Sequence, residues 1–460
     1  MGDLPRLELP RKPQYIKLAE DVDFVALFER VQARFENCFL FESLGDDSQV
    51  WRYSILGLDP AMVLSAKEST LNVESGGVST SYDVPNPYFA LRDIIPQNAI
   101  CREYAGGLVG YLAYESMSYF ETSLALQPHP HFDRFRFGLY KDGLILDKLT
   151  NELNYFFYTE DRSPLFRELI QALPDSAADN DTQVDFLGDS LTREEHAQVV
   201  ERVKEFIRAG RIYQAEVGFR SNLRIRGSTL PIYRALREIN PSPFMFFVKF
   251  GPQILIGASP ELMFRLHDRE MQAFPLAGSI GRGKDAADDI RLSRRLLGDL
   301  KERAEHAMLV DLHRNDIGRV AEFGTVKVKE LMGLKKFRYV QHIGSEVVGI
   351  ARRGEDMFST LASNFPMGTV TGAPKIESMR VILENERAPR GPYGGGVGHF
   401  GFNGDCTFAV ALRTLHVHGE NAYIQACGGN VYDSQASTEY EEIKKKLAAL
   451  RTVLEQFSVS

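Results

Sequence analysis

Two periods of apolar spacing run through the chain, and the switches between them mark its elements. Residues 20–37 repeat apolar side chains at helical spacing, while residues 38–43 (CFLFES) form the short apolar run that a buried strand requires. Residues 52–56, 106–115, 212–219, 254–258 and 270–274 share that strand character, as does the aromatic run 241–250, PSPFMFFVKF. Helical spacing returns in 162–173 and again after Thr192. There Val199, Val203, Phe206 and Ile207 share one face, Glu195 completes a capping-box spacing, and Gly210 closes the run. Between these helices, residues 174–183 (PDSAADNDTQ) are polar and rich in breakers, which reads as a linker. Strands interrupted by scattered long helices, without regular βαβ alternation, predict an α+β fold: a large two-lobed α/β sandwich of mainly antiparallel sheets with helices packed outside. The expected division is a mainly β region at 1–183 and a second region at 190–460, with lobes that can interleave.

Asp299 follows Gly298 and stands three residues before Glu302, so a helix is expected to open there with a capping box. At about 100° per residue, Glu302, Glu305, Leu309 and Leu312 fall on one mostly apolar side. Thr438 and Glu441 are expected to open a second helix, with Ile443, Leu447, Leu450 and Leu454 as its core stripe. Glu439, Glu442 and Lys446 lie within roughly 60° of that stripe, whereas Glu441, Lys444 and Lys445 point away. Buried carboxylates must be paired, protonated or bound to a cation. Four inward acids on two helices suit a hard, oxygen-seeking ion such as Mg2+. The same spacing also suits helix caps and structural ion pairs, and periodicity alone leaves both open.

At 460 residues with 44% hydrophobic and 25% charged residues, the chain has the composition of a globular protein of two or three domains or one large body. Its net charge of −8, with no polybasic tail, argues against a nucleic-acid partner. Cys38, Cys101, Cys406 and Cys427 are far apart and lack metal-binding spacing, which fits a reducing cytoplasm. An apolar leader and a membrane-length apolar run are both missing from the sequence, so no membrane partner is expected. Glycine-rich segments at 281–283, 391–398 and 428–429 match no phosphate-loop pattern. Their other use is to bring backbone N–H groups close to a carboxylate.

Six segments in order, PLAGS at 275–279, KERAEHAMLVDLHRNDIGRV at 301–320, MGTVTGAPK at 367–375, RGPYGGGVG at 390–398, ALRT at 411–414 and STEYEEIKKK at 437–446, resemble the motifs of the chorismate-utilising enzymes. FLFES at 39–43 and RYSILGLDP at 52–60 resemble that family's N-terminal half. The likeness is strongest to its anthranilate-forming members. It implies that Glu305 and Glu442 hold a Mg2+ ion, with Glu302 and Glu439 reaching it through water. It further implies that Tyr393, Arg413 and the Gly429 backbone take the enolpyruvyl carboxylate of chorismate, with Gly428 also in the substrate site and Lys446 near the ring carboxylate. Glu261 corresponds to a general acid for the departing hydroxyl and His342 to a histidine beside it, while Thr369, Gly278 and Ser279 correspond to positions lining the ring.

Isochorismate-forming relatives carry a lysine base where this chain has Gln214, and an amide cannot take a proton from water. Members that aminate C4 usually carry a lysine where this chain has Ala277. The implied reaction is therefore Mg-dependent attack of ammonia at C2 of chorismate, then loss of pyruvate to give anthranilate. The rivals are a 4-amino product, an aminated intermediate that keeps its pyruvyl arm, and a silent amino-acid-binding regulatory subunit. The chain shows no amidotransferase motif with a nucleophilic cysteine, so ammonia is expected from a separate glutamine amidotransferase subunit. Glu42, Ser43, Pro243, Phe244 and Met245 correspond to a tryptophan pocket in related enzymes, which makes tryptophan an expected effector. His399 and Asn430 depart from the family pattern and are expected to add polar groups close to the site.

Overall fold

The computed structural model describes residues 4–20, 22–44, 52–101, 104–172, 181–337 and 340–458. Most of the expected linker, residues 174–180, lies outside them. In the strand Asn37–Glu42, Phe39 packs into one apolar core while Cys38 and Leu40 pack into another. Burial on both faces is why its sequence reads as a continuous apolar run. Phe244–Phe250 repeats the pattern, with Phe246, Val248 and Phe250 on the first side and Met245 and Phe247 on the second. The two strands pair directly, Met245 opposite Glu42, so both halves of the chain share one sheet.

That sheet has twelve strands, and its main path runs Gln14–Glu20, Glu152–Phe157, Asp142–Asp147, Tyr53–Leu58, Asn37–Glu42, Phe244–Phe250, Gln253–Ser259, Thr414–His418, Asn421–Asn430, Gln214–Arg226, Gln183–Asp189. A second twelve-stranded sheet joins Gly107–Leu112 to Gly396–Gly401, Leu112 opposite Gly396, and again takes strands from both halves. Neighbouring strands run antiparallel in both sheets. Phe39, Val248 and Leu255 of the first sheet and Leu64, Phe137 and Phe408 of the second meet in one core. On the other face of the first sheet, helices Phe24–Arg34, Arg193–Arg208, Leu230–Ile239 and Ala436–Glu455 bury Leu27, Val199, Leu236 and Leu447. This is the antiparallel α+β sandwich with outer helices that the spacing predicts.

The helix starts show where local signals held and where packing overrode them. Thr192 and Glu195 form the expected reciprocal capping box. Asp299 caps Leu300–Gly318 by accepting from the N–H groups of Lys301 and Glu302, but the reciprocal bond is not formed; Glu302 lines the cleft described below. The box expected at Thr438 and Glu441 is absent among the described residues, because the final helix begins earlier, at Ala436, with Gln435 as its cap residue. A turn closed by the Ser434 hydroxyl, which accepts from Val431 N–H at 3.0 Å, delivers the chain into the helix sooner. Glu441 instead pairs with Arg193, and Lys444, expected to point away, reaches Asp189 at 3.0 Å. The strand expected over 106–115 stops at Leu112. Beyond it, in the short helical segment Tyr114–Tyr119, the buried Glu115 carboxylate accepts from the N–H of Arg390 at 2.7 Å and of Gly391 at 3.2 Å.

Candidate active site

A cleft of about 1230 Å³ opens where helices Leu300–Gly318 and Ala436–Glu455 meet strands Leu276–Gly281, Val340–Ile350 and Asn421–Asn430. Glu302 and Glu305 project into it from the first helix, and Glu439 and Glu442 from the second. Burial raises the proton affinity of Glu302, Glu305 and Glu439, and the other acids of the group add to the effect. Among the described residues, Oε2 of Glu439 is buried without a hydrogen-bond partner. Glu442 is the exception: it is half-exposed and pairs with Lys446 at 2.8 Å. Among the described residues no three His, Cys, Asp or Glu side chains are grouped closely enough to hold a metal ion as they stand. The donor set nevertheless fits Mg2+, being all oxygen, crowded with like charge and carrying one partnerless buried carboxylate oxygen.

Glycines let the strands close on this cluster. Gly278 has φ +64, a region that favours glycine, and a side-chain carbon there would lie 2.8 Å from Glu302 Oε2. One at Gly429 would lie 2.3 Å from Gln214 Nε2 and 3.2 Å from Glu305 Oε1. Gly428 sits behind the wall, where such a carbon would lie 3.3 Å from Glu439 Oε2.

Glu261 follows the strand Gln253–Ser259 and is 3% exposed. Its Oε1 accepts from Leu276 N–H at 3.2 Å and its Oε2 from the Thr369 hydroxyl at 3.1 Å. Burial pushes its carboxyl up to about 8, against these two bonds, so it is largely protonated at neutral pH. The Gly278 carbonyl and the Ser279 hydroxyl both lie against Nδ1 of His342, at 2.9 and 3.0 Å. A carbonyl only accepts, so the proton sits on Nδ1 and Nε2 keeps its lone pair; Nε2 is buried and has no partner among the described residues. Burial and the nearby Arg413 charge press this imidazole down to about 4, which keeps it neutral.

Arg413 stands on the short connection between strands Cys406–Val410 and Thr414–His418 with φ +48, a backbone conformation that costs a non-glycine residue about 1–2 kcal/mol. Its guanidinium lines the cleft and, among the described residues, has no ion-pair or side-chain hydrogen-bond partner. Burial lowers its proton affinity, with Glu261 opposing, yet a guanidinium keeps its charge. An unpaired, half-buried cation beside an acid cluster is a site for an anionic ligand that also engages a cation.

The model of the family described as chorismate binding enzyme matches residues 36–452. The chain belongs to the chorismate binding enzyme family. A curated relative, the anthranilate synthase component 1 of Leptospira biflexa, is 47% identical over 98% of this chain and 98% of its own. That of Methanothermobacter thermautotrophicus is 38% identical over 93% of this chain and 91% of its own. The crystal structure of anthranilate synthase component I from Streptococcus pneumoniae superposes with a TM-score of 0.78 at 30% identity, covering 88% of this chain and 93% of that one. The menaquinone-specific isochorismate synthase of Escherichia coli, at 18% identity and TM-score 0.72 over 97% and 96% of the two chains, shares the fold alone.

Within this chorismate binding enzyme, the cleft gathers Glu261, His342, Thr369, Gly278, Ser279, Tyr393, Arg413, Gly429, Lys446 and the four acids. Lys446 also donates to the Cys427 carbonyl at 2.9 Å; burial works against its charge, but Glu216 and Glu442 outweigh it and raise its proton affinity. Gln214 is buried behind the wall, its Nε2 donating to Glu305 Oε1 and Glu216 Oε1, both at 3.0 Å. His399, expected near the site, lies elsewhere: it borders a second cavity, against Tyr104. Asn430 stays in the sheet behind the cleft, bonded to the Gly428 carbonyl at 2.9 Å. Glu42, Ser43, Pro243, Phe244 and Met245 all line that second cavity, where the two halves of the chain meet. Glu42 there is held by Arg237 at 2.9 Å and by the Tyr233 hydroxyl at 2.6 Å.

Glu216 lines the cleft and was not singled out by the motifs. Ala215, Val217 and Phe219 enter the helix-side core, so alternation along Gln214–Arg226 puts Glu216 on the same face as Gln214. That two-residue spacing was the signal available in the sequence.

Proposed function

We propose that this chain converts chorismate and ammonia to anthranilate and pyruvate, the first committed step of tryptophan biosynthesis. The observation that carries the reading is the unpaired Arg413 guanidinium in the same cleft as four crowded acids, a layout suited to a dicarboxylate with a cation at one end. Glu305 and Glu442, with Glu302 and Glu439 behind them, are the residues to hold a Mg2+ ion, which supplies Lewis-acid charge for the ring carboxylate. Arg413, the Tyr393 hydroxyl and the Gly429 backbone bind the enolpyruvyl carboxylate, and Lys446 balances the ring end. Protonated Glu261, oriented by Thr369, gives its proton to the departing hydroxyl, and neutral His342 accepts a hydrogen bond through Nε2. Aromatisation then drives loss of pyruvate.

Ammonia comes from a separate glutamine amidotransferase subunit, and the activity belongs to the cytoplasm, where four cysteines without metal-binding spacing suit a reducing environment. The region 1–183 contributes Glu42 and Ser43 to a tryptophan-binding cavity, and 190–460 supplies catalysis. Incubation with chorismate, Mg2+ and ammonium, followed by anthranilate fluorescence and product analysis, tests the reading. Anthranilate with equimolar pyruvate is expected; a hydroxylated isomer, a 4-amino product or unchanged chorismate overturns it.

A further inference from the structure

Glu216 is only 5% exposed, yet it borders the cleft between Gln214, Glu305 and Cys427. Its Oε1 takes the Gln214 amide at 3.0 Å and its Oε2 takes the Cys427 thiol at 3.3 Å, while the Tyr393 hydroxyl donates to that sulfur at 3.0 Å. Both donors are neutral, and a thiol is a weak one. Among the described residues no cation lies within ion-pair distance of Glu216. A carboxylate has room for about four hydrogen bonds, so acceptor capacity remains at the cleft. Such a group is poorly compensated for its burial and suits a small ligand that brings N–H donors.

Resting on the aminating reaction proposed above, we propose that Glu216 receives the nitrogen nucleophile: its carboxylate accepts a hydrogen bond from incoming ammonia and takes the proton released when the C–N bond forms. The balance is complete. The nitrogen lone pair forms the bond to C2, the two conjugated ring double bonds shift from C1–C2 to C1–C6 and from C5–C6 to C4–C5, and the C4–O bond breaks. The leaving hydroxyl takes its proton from Glu261 and departs as water, and the new ammonium group gives one proton to Glu216. Each turnover thus moves one proton from Glu261 to Glu216, and exchange through solvent resets both.

The test is steady-state kinetics of the full-length chain with chorismate, Mg2+ and ammonium, rates being expressed per free ammonia. Glu216→Gln is expected to lose on the order of 10²-fold in kcat/KM for ammonia, while KM for chorismate stays within about threefold of wild type. Glu216→Asp keeps the charge but withdraws it, and is expected to raise KM for ammonia while retaining more turnover than the Gln variant. It also supplies the readout if the Gln variant does not fold. An unchanged kcat/KM for ammonia in either folded variant overturns the proposal, as does a loss shared equally between the ammonia and chorismate terms. A wild-type chain that forms no aminated product overturns the parent reaction instead, so the two failures are distinguishable.

Discussion

Glu442 and Lys446 hold each other at 2.8 Å across one turn of the final helix. The pair sits at the rim of the acid cluster, with both side chains about half exposed, at 47% and 46%. Exchange of this surface-type pair for a bound cation costs little, since such pairs contribute roughly 0–1 kcal/mol. Glu442 is therefore the acid free to swing, whereas Glu305 is tied to Gln214.

Removal of divalent ions with a chelator is expected to abolish turnover, with Mg2+ restoring it. Glu305→Gln and Glu442→Gln should each raise the Mg2+ concentration for half-maximal activity by at least about tenfold. Titration of activity against free Mg2+ checks this, and full wild-type turnover in excess chelator contradicts it.

The Glu261 carboxyl is raised by burial to about 8, so its acid function is present below that value and falls away as pH rises through it. Glu261→Gln is expected to lose about 10²–10⁴-fold in kcat. Wild-type stability also falls with rising pH. Because the folded state holds the proton more tightly than the unfolded chain, wild type loses stability as pH climbs from the ordinary value of 4.5 through about 8, and the amide does not. Melting curves at pH 9 should therefore show the Gln variant gaining relative to wild type.

Among the described residues Arg413 has no side-chain hydrogen-bond or ion-pair partner to lose, so its removal should cost binding and not folding. Arg413→Ala is expected to lower kcat/KM for chorismate by roughly two orders of magnitude, as removal of a buried charge partner from a carboxylate does, with Arg413→Lys recovering part. A melting temperature within a few degrees of wild type separates this from general disruption.

Saturating tryptophan is expected to lower the initial rate, and Ser43→Leu, which fills part of the second cavity, to blunt that effect. Rates that ignore tryptophan at any concentration remove the cavity from regulation.

The chain alone is expected to use ammonium but not glutamine, and to gain glutamine use when a glutaminase subunit is added. Glutamine-dependent anthranilate formation by the isolated chain contradicts the two-subunit arrangement.

The primary sequence determined whatever depends on neighbours in the chain. Thr192 with Glu195, Asp299 after Gly298, and the 100° phase that turns Glu302 and Glu305 inward are all local consequences of helix geometry. The apolar runs of Asn37–Glu42 and Phe244–Phe250 likewise announced strands buried on both faces. Only the tertiary structure decided what meets across the sheets. It set Glu42 opposite Met245, moved the start of the last helix ahead of Thr438, sent His399 to the second cavity, and brought Glu216 against Cys427. The physical reason is that strand pairing joins residues distant in sequence, and the desolvation that tunes Glu216 and Glu261 comes from atoms neither residue's neighbours supply.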